Sequence, residues 1–517
     1  MINQKKSELL AEYFTNKTTI KLSWLIISFA IAIRLMQYIS NRSLWADEAV
    51  LALNIVNRSY AELTQPLDYD QVAPIAFLWI EKFLVNLLGN NEFALRLFPL
   101  IAGILSLFLF AIIARRYLNN LGCIIAILLF STLSPIIYYS TEVKQYSTDI
   151  LISLFLCYLL APDKREKLTS SQTIIKSILV AICLWFSHPA IFIFAAMILV
   201  NLFDYVFNKN TDQSNQKIII YSSGFLSFAI LYFGFLNRAN DNQNLFDSWG
   251  DAFPNHPLNI IWYFDAFGKF FYKPLGFEYY KIFGFTINLD AIAIALFIFG
   301  CFCYFRNNKI IFYTLLFPLL TTFTAAALHL YPFRNRVVLF LVPCFIIAIA
   351  QGIIWLLSKK LHRLIKIFLA CLIILTIAAP VVESSTTYIK PQQREEIKEV
   401  IEYIQQKEQP SDILYIYQRG IYQFLYYAEK YGYQPEDYIL GVEDLDIYDG
   451  KKLSEVELQR YKSDLNKLRG NSRVWLLFSH VTRNTEYLPI KAYLDTIGTE
   501  VDLFTAKGAF AHLYNLE

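Results

Sequence analysis

Leu22 to Ala49 reads LSWLIISFAIAIRLMQYISNRSLWADEA, an apolar run that ends in two adjacent acids. The part from 22 to 40 is long enough to cross a bilayer, because a helical span needs about 20 apolar residues. Asp47 and Glu48 follow where the chain leaves the lipid. This order predicts a membrane protein with carboxylates at the membrane surface, where proton transfer can take place.

The composition of the whole chain agrees with many spans. Of 517 residues, 56% are hydrophobic and 17% are charged, and the mean hydropathy is +0.39. Soluble domains carry about a quarter charged residues. The net charge of +3 is small and says nothing about nucleic acid, so what matters is where the cations lie. We expect no nucleic-acid partner. All seven cysteines fall in apolar runs, so neither a disulfide framework nor a zinc site is expected.

Apolar runs of spanning length recur along the chain and predict about eleven crossings. They are 22–40, 93–114, 121–138, 146–162, 173–187, 189–207, 217–236, 283–305, 309–329, 335–357 and 364–382. The two spans around His188-Pro189 are either separate helices or one long helix with a kink at the proline.

Lysines and arginines concentrate in alternate loops, which the positive-inside rule assigns to the cytoplasm. They are Lys5, Lys6, Lys17, Lys21, Arg115, Arg116, Lys164, Arg165, Lys167, Lys209, Lys217, Arg306, Lys309, Lys359, Lys360, Arg363 and Lys366. An odd number of crossings then puts the C-terminal region outside. We therefore predict a multi-pass protein of the plasma (inner) membrane, with a cytoplasmic N-terminus.

We predict that the chain divides into a transmembrane domain, 1–382, and an extracytoplasmic α/β domain, 383–517. In the first outward loop, 41–92, the stretch 74–88 predicts an amphipathic helix at the lipid surface. The tail alternates helical and strand patterns. Its predicted elements are a helix at 394–406, a strand at 412–417, a polar helix at 454–469, a strand at 473–478 and a hairpin over 500–514.

Polar residues that could carry chemistry lie at the outward turns. Asp47 is either a general base or the N-cap of the helix that begins with Ala49. In the tight turn that ends at Tyr146, Lys144 could bind a phosphate, and Glu142 could orient either a sugar or Lys144 itself. The other interpretation of that turn is a solvated segment with interfacial tyrosines.

Histidine and arginine occupy two further outward turns. His188 fits a capping or hydrogen-bonding role better than metal binding. Arg334 and Arg336 lie on the side that the positive-inside rule disfavours, and their forked guanidinium groups suit a lipid phosphate. Binding of lipid headgroups or snorkelling is the alternative, and Arg34 in the first span is expected only to snorkel. As a set, these groups suggest a site for a negatively charged lipid and a nucleophile.

At these residues the chain resembles the GT-C superfamily of membrane glycosyltransferases. The resemblance is to the bacterial branch related to protein O-mannosyltransferases and lipid A aminoarabinose transferases. The matching stretches, in the family's order over about 40–345, are Trp45 to Ala49, Ala73 to Leu78, Phe93 to Pro99, Ser134-Pro135 with Tyr138 to Tyr146, Ser187 to Pro189, and Arg334 to Arg336 before a span with Pro343. Two positions depart from the family: Lys144 replaces an arginine and Pro189 a tyrosine.

The resemblance implies a polytopic α-helical GT-C fold and an inverting glycosyltransferase. Such an enzyme moves a sugar from a polyprenyl-phosphate donor to a glycan, lipid or protein acceptor on the outer face. Asp47 would be the base with Glu48 beside it, and Arg334 or Arg336 would hold the donor phosphate. We expect Glu142, Lys144, Tyr146 and His188 to bind substrate, and we expect no metal and no cofactor.

Two other function classes compete with this interpretation. A transporter or flippase would carry polar residues near the bilayer midplane, whereas here the polar residues crowd the outer rim. A non-catalytic assembly protein for cell-surface polysaccharide would use the tail for docking. Substitution of the proposed base separates these classes, since only an enzyme depends on it.

Overall fold

The computed structural model describes residues 16–162, 168–208, 214–236, 249–282, 285–442, 454–481 and 484–517. Six cations of the topology argument lie outside the described residues: Lys5, Lys6, Lys164, Arg165, Lys167 and Lys209. The described chain forms a helical bundle that reaches Ile389 and an α/β domain that follows it.

The bundle and its outer loops contain fifteen described α-helices. They are α1 Asn16–Ile39, α2 Ala46–Asn57, α3 Ile75–Leu88, α4 Glu92–Tyr117, α5 Asn120–Thr132, α6 Ser134–Tyr138, α7 Tyr146–Leu160, α8 Ser170–Phe186, α9 Ala190–Asn208, α10 Ser214–Gly234, α11 Ile260–Tyr272, α12 Leu289–Asn307, α13 Lys309–Ala327, α14 Val342–Leu357 and α15 Arg363–Ile389. A short antiparallel hairpin, β1 Tyr279–Ile282 and β2 Phe285–Asn288, precedes α12.

Every predicted span overlaps at least one helix, so the polytopic helical architecture is confirmed. The span 121–138 divides into α5 and α6. The first six residues of the span 283–305 precede α12 and lie outside the described residues or in β2. Within the described ranges, eight helices are long and apolar enough to cross a membrane, and α5 with α6 makes a ninth if that pair, bent by 59°, is one span. The two remaining predicted spans are α7 and α8, with 15 and 17 residues. The chain around His188-Pro189 forms two helices, since α8 ends at Phe186 and α9 begins at Ala190.

Two glycines let α12 and α14 pack backbone against backbone. A Cβ on Gly300 would lie 1.8 Å from the carbonyl oxygen of Ala348, and one on Gly352 would lie 1.9 Å from that of Leu296. Small residues at a helix crossing allow this close approach in a membrane, where dispersion contacts hold helices together.

The prediction that Arg34 snorkels is wrong. Arg34 is fully buried, and its Nη1 donates to the carbonyl oxygens of Ala30 at 3.1 Å and Ser131 at 3.4 Å. Ser131 lies in the last turn of α5, where the helix breaks before α6 and carbonyl groups lose their helical partners. The guanidinium therefore satisfies a helix end inside the protein.

The tail is a three-layer α/β domain with a mixed sheet of order β4-β3-β5-β7-β6. Strands β3, β4 and β5 are mutually parallel, whereas β7 runs antiparallel to β5 and β6. The strands are β3 Ile413–Ile416, β4 Tyr438–Leu440, β5 Val474–Ser479, β6 Thr499–Ala506 and β7 Ala509–Asn515, and the helices are α16 Ile397–Lys407, α17 Ile421–Ala428, α18 Glu455–Asn466 and α19 Asn484–Ile497. All five predicted tail elements are present, and α15 runs to Ile389, beyond the expected domain boundary at 382.

The central strand β5 is buried on both faces, which explains its continuous apolar sequence. Leu476 and Phe478 pack with α18 and α19, while Trp475 and Leu477 pack with α16 and α17. That second face shares its core with the outer-loop helices α2 and α3. The tail therefore packs directly on the loop that carries the acid pair.

Candidate active site

One cavity of about 320 Å³ gathers residues from several separate segments of the bundle. Its polar lining residues are Asp47, Asp70, Gln71, Lys144, Gln145, Tyr146, His188 and Arg336. The part that we call the polar end is formed by those whose side chains interact with one another, namely Asp47, Gln71, Lys144, Tyr146 and Arg336. Its apolar lining includes Phe192, Phe228, Tyr232, Leu236, Trp249, Phe253, Leu330 and Tyr331. The volume lies in the range of small-molecule sites, and a lining of both kinds suits a ligand with a polar head and an apolar tail.

Asp47 lies in the first turn of α2 and forms an ion pair with Arg336. The helix begins at Ala46, so the alternative in which Asp47 is the N-cap is wrong. Its side chain is 29% exposed to solvent and lines the cavity. The carboxylate is therefore accessible to a ligand.

The charge of Asp47 is stabilised by its surroundings. Burial opposes ionisation, but Arg336, Lys144, His480 and Arg394 outweigh it and hold the pKa of Asp47 below its ordinary value. Asp47 is thus an ionised acceptor at neutral pH.

Glu48 has a different environment, although it is the next residue. It is fully buried, and its carboxylate accepts from Arg96 Nε at 3.0 Å and Nη2 at 2.7 Å and from Val143 N at 2.9 Å. The backbone N–H of Trp45 donates at 3.4 Å, and Arg42 Nη2 lies 3.8 Å away. Burial opposes the charge, but the two guanidinium groups lower the pKa of Glu48. Glu48 therefore joins three segments of chain, and it is not among the residues that line the cavity.

Arg336 and Lys144 bring two cations to the polar end. Arg336 Nε donates to the hydroxyl of Tyr146 at 2.9 Å, and its guanidinium carbon lies 5.3 Å from the ring centre of Trp45. Lys144 is 7% exposed, and its Nζ donates to Gln71 Oε1 at 2.6 Å. Burial lowers the pKa of Lys144, and Asp47 acts against this shift. Two cations therefore lie near the carboxylate of Asp47 at the cavity.

Glu142 and His188 have different environments. Glu142 is fully buried, and its Oε1 accepts the indole N–H of Trp45 at 2.9 Å. Burial raises the pKa of Glu142. His188 lines the cavity, and burial lowers its pKa to about 4, so its imidazole is neutral at physiological pH.

Three of the predicted site residues, Glu48, Glu142 and Arg334, do not line the cavity. Glu48 and Glu142 are fully buried, whereas Arg334 is at the surface. Its side chain is 46% exposed, and its Nη1 lies 3.7 Å from Asp251, which is itself 92% exposed. Such a pair contributes little energy. Of the two arginines that the sequence left open, Arg336 is the one at the cavity.

Sequence reasoning missed two tail residues near the acid pair. Arg394 stacks on Trp45, with its guanidinium carbon 4.3 Å from the ring centre, and also on Tyr138 at 4.4 Å. His480, with a φ of +55°, follows β5, and its Nδ1 lies 2.7 Å from Glu395 Oε1. A positive φ in a non-glycine residue is a known mark of functional sites, but it is not readable from sequence.

Among the described residues, no group of three or more His, Cys, Asp or Glu side chains is arranged so that it could hold a metal ion. The cavity lining instead combines two carboxylates, Asp47 and Asp70, with two cations and a neutral imidazole. This set can take a proton and neutralise a phosphate.

Comparison with known proteins agrees with the geometry. Residues 72–233 match the profile of the family described as dolichyl-phosphate-mannose-protein mannosyltransferase, whereas comparison with curated proteins gave no match. The crystal structure of ArnT from Cupriavidus metallidurans bound to undecaprenyl phosphate is similar, with a TM-score of 0.50 and 11% identity over 95% of this chain and 98% of that chain. So is the Archaeoglobus fulgidus oligosaccharyltransferase tethered with an acceptor peptide, with a TM-score of 0.51 and 12% identity over 97% and 74%. The chain therefore has the GT-C fold that its motifs predicted.

Proposed function

From this GT-C fold we propose that the chain is an inverting glycosyltransferase with a polyprenyl-phosphate sugar as its donor. The observation that carries the proposal is the cavity at which Asp47, Lys144 and Arg336 come together and whose other lining residues are largely apolar. A lipid phosphate suits a lining of this kind. The similar ArnT structure contains undecaprenyl phosphate, which supports the same class of carrier here.

Arg336 and Lys144 hold the donor phosphate. A guanidinium has five N–H donors, so Arg336 can bind a phosphate while it keeps Tyr146 and Asp47 as partners. Lys144 adds a compact charge in place of the family's arginine, which costs a forked contact but keeps the attraction. Neutralised in this way, the phosphate is a good leaving group without an acid to protonate it.

Asp47 is the general base. An acceptor hydroxyl attacks the anomeric carbon and gives its proton to Asp47 while the bond from that carbon to the phosphate oxygen breaks. The electron pair leaves with the polyprenyl phosphate, which Arg336 and Lys144 stabilise. A single displacement inverts the anomeric centre, and one carboxylate suffices for it. Glu48 has a structural role, because it fixes the conformation of the turn that carries Asp47.

Glu142 and His188 shape the sugar end of the site. Glu142 holds the indole of Trp45, against which Arg336 packs. His188, kept neutral by burial, can donate to or accept from a sugar hydroxyl. Arg334, paired with Asp251, meets lipid headgroups at the surface.

We place this reaction on the outer face of the plasma (inner) membrane, with the N-terminus in the cytoplasm and the tail outside. The distribution of cations among the loops supports this orientation. The acceptor is a glycan, a lipid or a protein.

Mass spectrometry of lipid-linked sugars and surface glycans tests the proposal. Cells that carry Asp47→Asn should accumulate one polyprenyl-phosphate sugar and lack the glycan that the parent makes. Transfer should fall by about 10²–10⁴-fold, the usual contribution of a general base. A variant that inserts normally and transfers sugar at the parental rate would refute the assignment of Asp47. Such a result would favour a transporter or an assembly protein, because neither depends on Asp47 for catalysis.

A further inference from the structure

We infer that the C-terminal domain positions the catalytic carboxylate, with Glu395, Gln423 and Tyr427 as positioning residues. This inference rests on the proposed function, because it takes Asp47 as the base. The segment Asn41–Trp45 that leads into α2 has no regular secondary structure. Four of its backbone polar groups bind side chains of a domain that begins about 350 residues later, while Arg96 of α4 binds the carbonyl oxygens of Arg42 and Ser43.

Both backbone polar groups of Leu44 bind side chains of the tail. Its N–H donates to the hydroxyl oxygen of Tyr427 at 2.8 Å, and its carbonyl accepts from Gln423 Nε2 at 2.8 Å. Both partners belong to α17 and are buried. Leu44 is itself fully buried, so these tail side chains satisfy polar groups that would otherwise lie unpaired in a core.

The residues on either side of Leu44 are bound by two consecutive glutamates. Glu396 Oε2 accepts the N–H of Ser43 at 3.0 Å, and Glu395 Oε2 accepts the N–H of Ala46 at 3.0 Å. Ala46 is the first residue of α2 and Asp47 is the next. Glu395 therefore holds the helix start on which the base stands, and carboxylates at a helix N-terminus are favourable.

A chain of charged groups fixes the tail side chains in turn. The hydroxyl of Tyr427 donates to Glu92 Oε1 at 2.9 Å, and Lys398 Nζ lies 3.2 Å from the same oxygen. Lys398 Nζ also donates to the carbonyl oxygen of Asn41 at 2.6 Å. Gln423 is oriented by Ser479 Oγ, which donates to its Oε1 at 2.5 Å. The amide of Gln423 therefore has one available orientation, with its NH₂ directed at Leu44.

The tail also contacts the segment 69–71, which contributes Asp70 and Gln71 to the cavity lining. Tyr69 and Asp70 are both left-handed, with φ of +62° and +54°, and the ring of Tyr69 packs on Tyr422 of α17 at 4.3 Å between centres. The next residue is Gln71, which binds Lys144. One helix of the tail thus contacts both the base-bearing segment and the segment that fixes the phosphate-binding lysine. Strained backbone of this kind persists where surrounding structure holds it.

The matched pair Tyr427→Phe and Tyr433→Phe tests the inference in the full-length protein. Each substitution removes one hydroxyl from a buried tail tyrosine, but that of Tyr433 donates to Glu408, away from the segment. Gln423→Glu is the second test variant, since it keeps the shape and removes the donor to Leu44. Three quantities are measured: hydrogen exchange of the segment 41–47, affinity for undecaprenyl phosphate, and sugar transfer in cells.

Tyr427→Phe and Gln423→Glu should each speed exchange of the segment about tenfold, because a buried partner is lost. Transfer should fall by a similar factor while affinity for undecaprenyl phosphate stays within about twofold, since the phosphate ligands are untouched. Tyr433→Phe should change none of the three quantities. General unfolding would lower transfer and affinity together, so this split separates positioning from a merely structural role.

Unchanged exchange in both test variants would overturn the inference, as would faster exchange with parental transfer. Loss of transfer and affinity together in both test variants would overturn it as well. Failure of the proposed function is distinguishable, because it would appear as parental transfer by Asp47→Asn. The exchange measurement does not depend on activity.

Discussion

Replacement of Glu48 by glutamine should destabilise the protein far more than the same change at Asp47. Glu48 is fully buried between two guanidinium groups, and Arg96 alone binds both of its oxygens, at 3.0 and 2.7 Å. Glu48→Gln keeps the shape, removes the charge and turns an NH₂ group toward N–H donors. Arg96 and Arg42, 1% and 2% exposed, then remain as buried cations without their anion.

The expected loss follows from this burial. Removal of one partner from a buried ion pair costs about 3–5 kcal/mol, because the other charge stays desolvated. Asp47→Asn breaks a pair whose side chains keep 29% and 22% exposure, and we expect a loss of about 1 kcal/mol or less. The total unfolding free energy of a protein is about 5–15 kcal/mol, so the loss from Glu48→Gln is severe and the loss from Asp47→Asn is minor.

Denaturant titration of both variants in the same detergent measures the two losses. The Glu48→Gln midpoint should fall well below the parental value, while the Asp47→Asn midpoint stays close to it. Sugar transfer should show the reverse pattern in protein that remains folded, with the larger loss at Asp47. Equal midpoints for the two variants would refute the division into a structural acid and a catalytic acid.

Three further outcomes are expected. Arg336→Gln should weaken binding of undecaprenyl phosphate by about 10- to 100-fold in a binding titration, the worth of a charge-assisted hydrogen bond, whereas Arg334→Gln should change it less than about twofold; equal effects would contradict the choice between them. Because the pKa of Asp47 is lowered, its ionised form persists as pH falls, and the acid limb of the rate profile should lie below about pH 4, the ordinary aspartate value; a limb near pH 6 would be inconsistent with this base. Gly300→Ala should lower the unfolding free energy by about 1–3 kcal/mol, because its Cβ would lie 1.8 Å from a carbonyl oxygen of the neighbouring helix, whereas Gly268→Ala, which meets open space, should not destabilise the protein in the same titration.

The membrane helices were predictable because they depend on local composition. A run of about 20 apolar residues has no other stable form in lipid than a helix, whatever surrounds it. The tail elements followed from periodicity, as the buried strand β5 and the hairpin of β6 and β7 illustrate. The prediction for Arg34 failed because its environment is a helix break in another span, nearly a hundred residues away.

The candidate site was predictable only as a set of turns. Asp47, Lys144, His188 and Arg336 each stood out where an apolar run ended, and the fold brings all four to one cavity. Their spacing in the sequence does not predict that these side chains come together, because their proximity depends on how the helices pack. The sequence also could not distinguish Arg336 from Arg334, which is two residues away. The backbone conformation decides which of the two side chains faces the cavity.

The sequence by itself determined the class of protein, its spans and the acid pair at the membrane surface, because these follow from solvation of local segments. Only the tertiary structure decided that Glu48 is locked between arginines while Asp47 faces the cavity. It also decided that a domain about 350 residues away holds the segment that carries them. Burial and long-range hydrogen bonds set those roles, and neither is a property of a local stretch of chain.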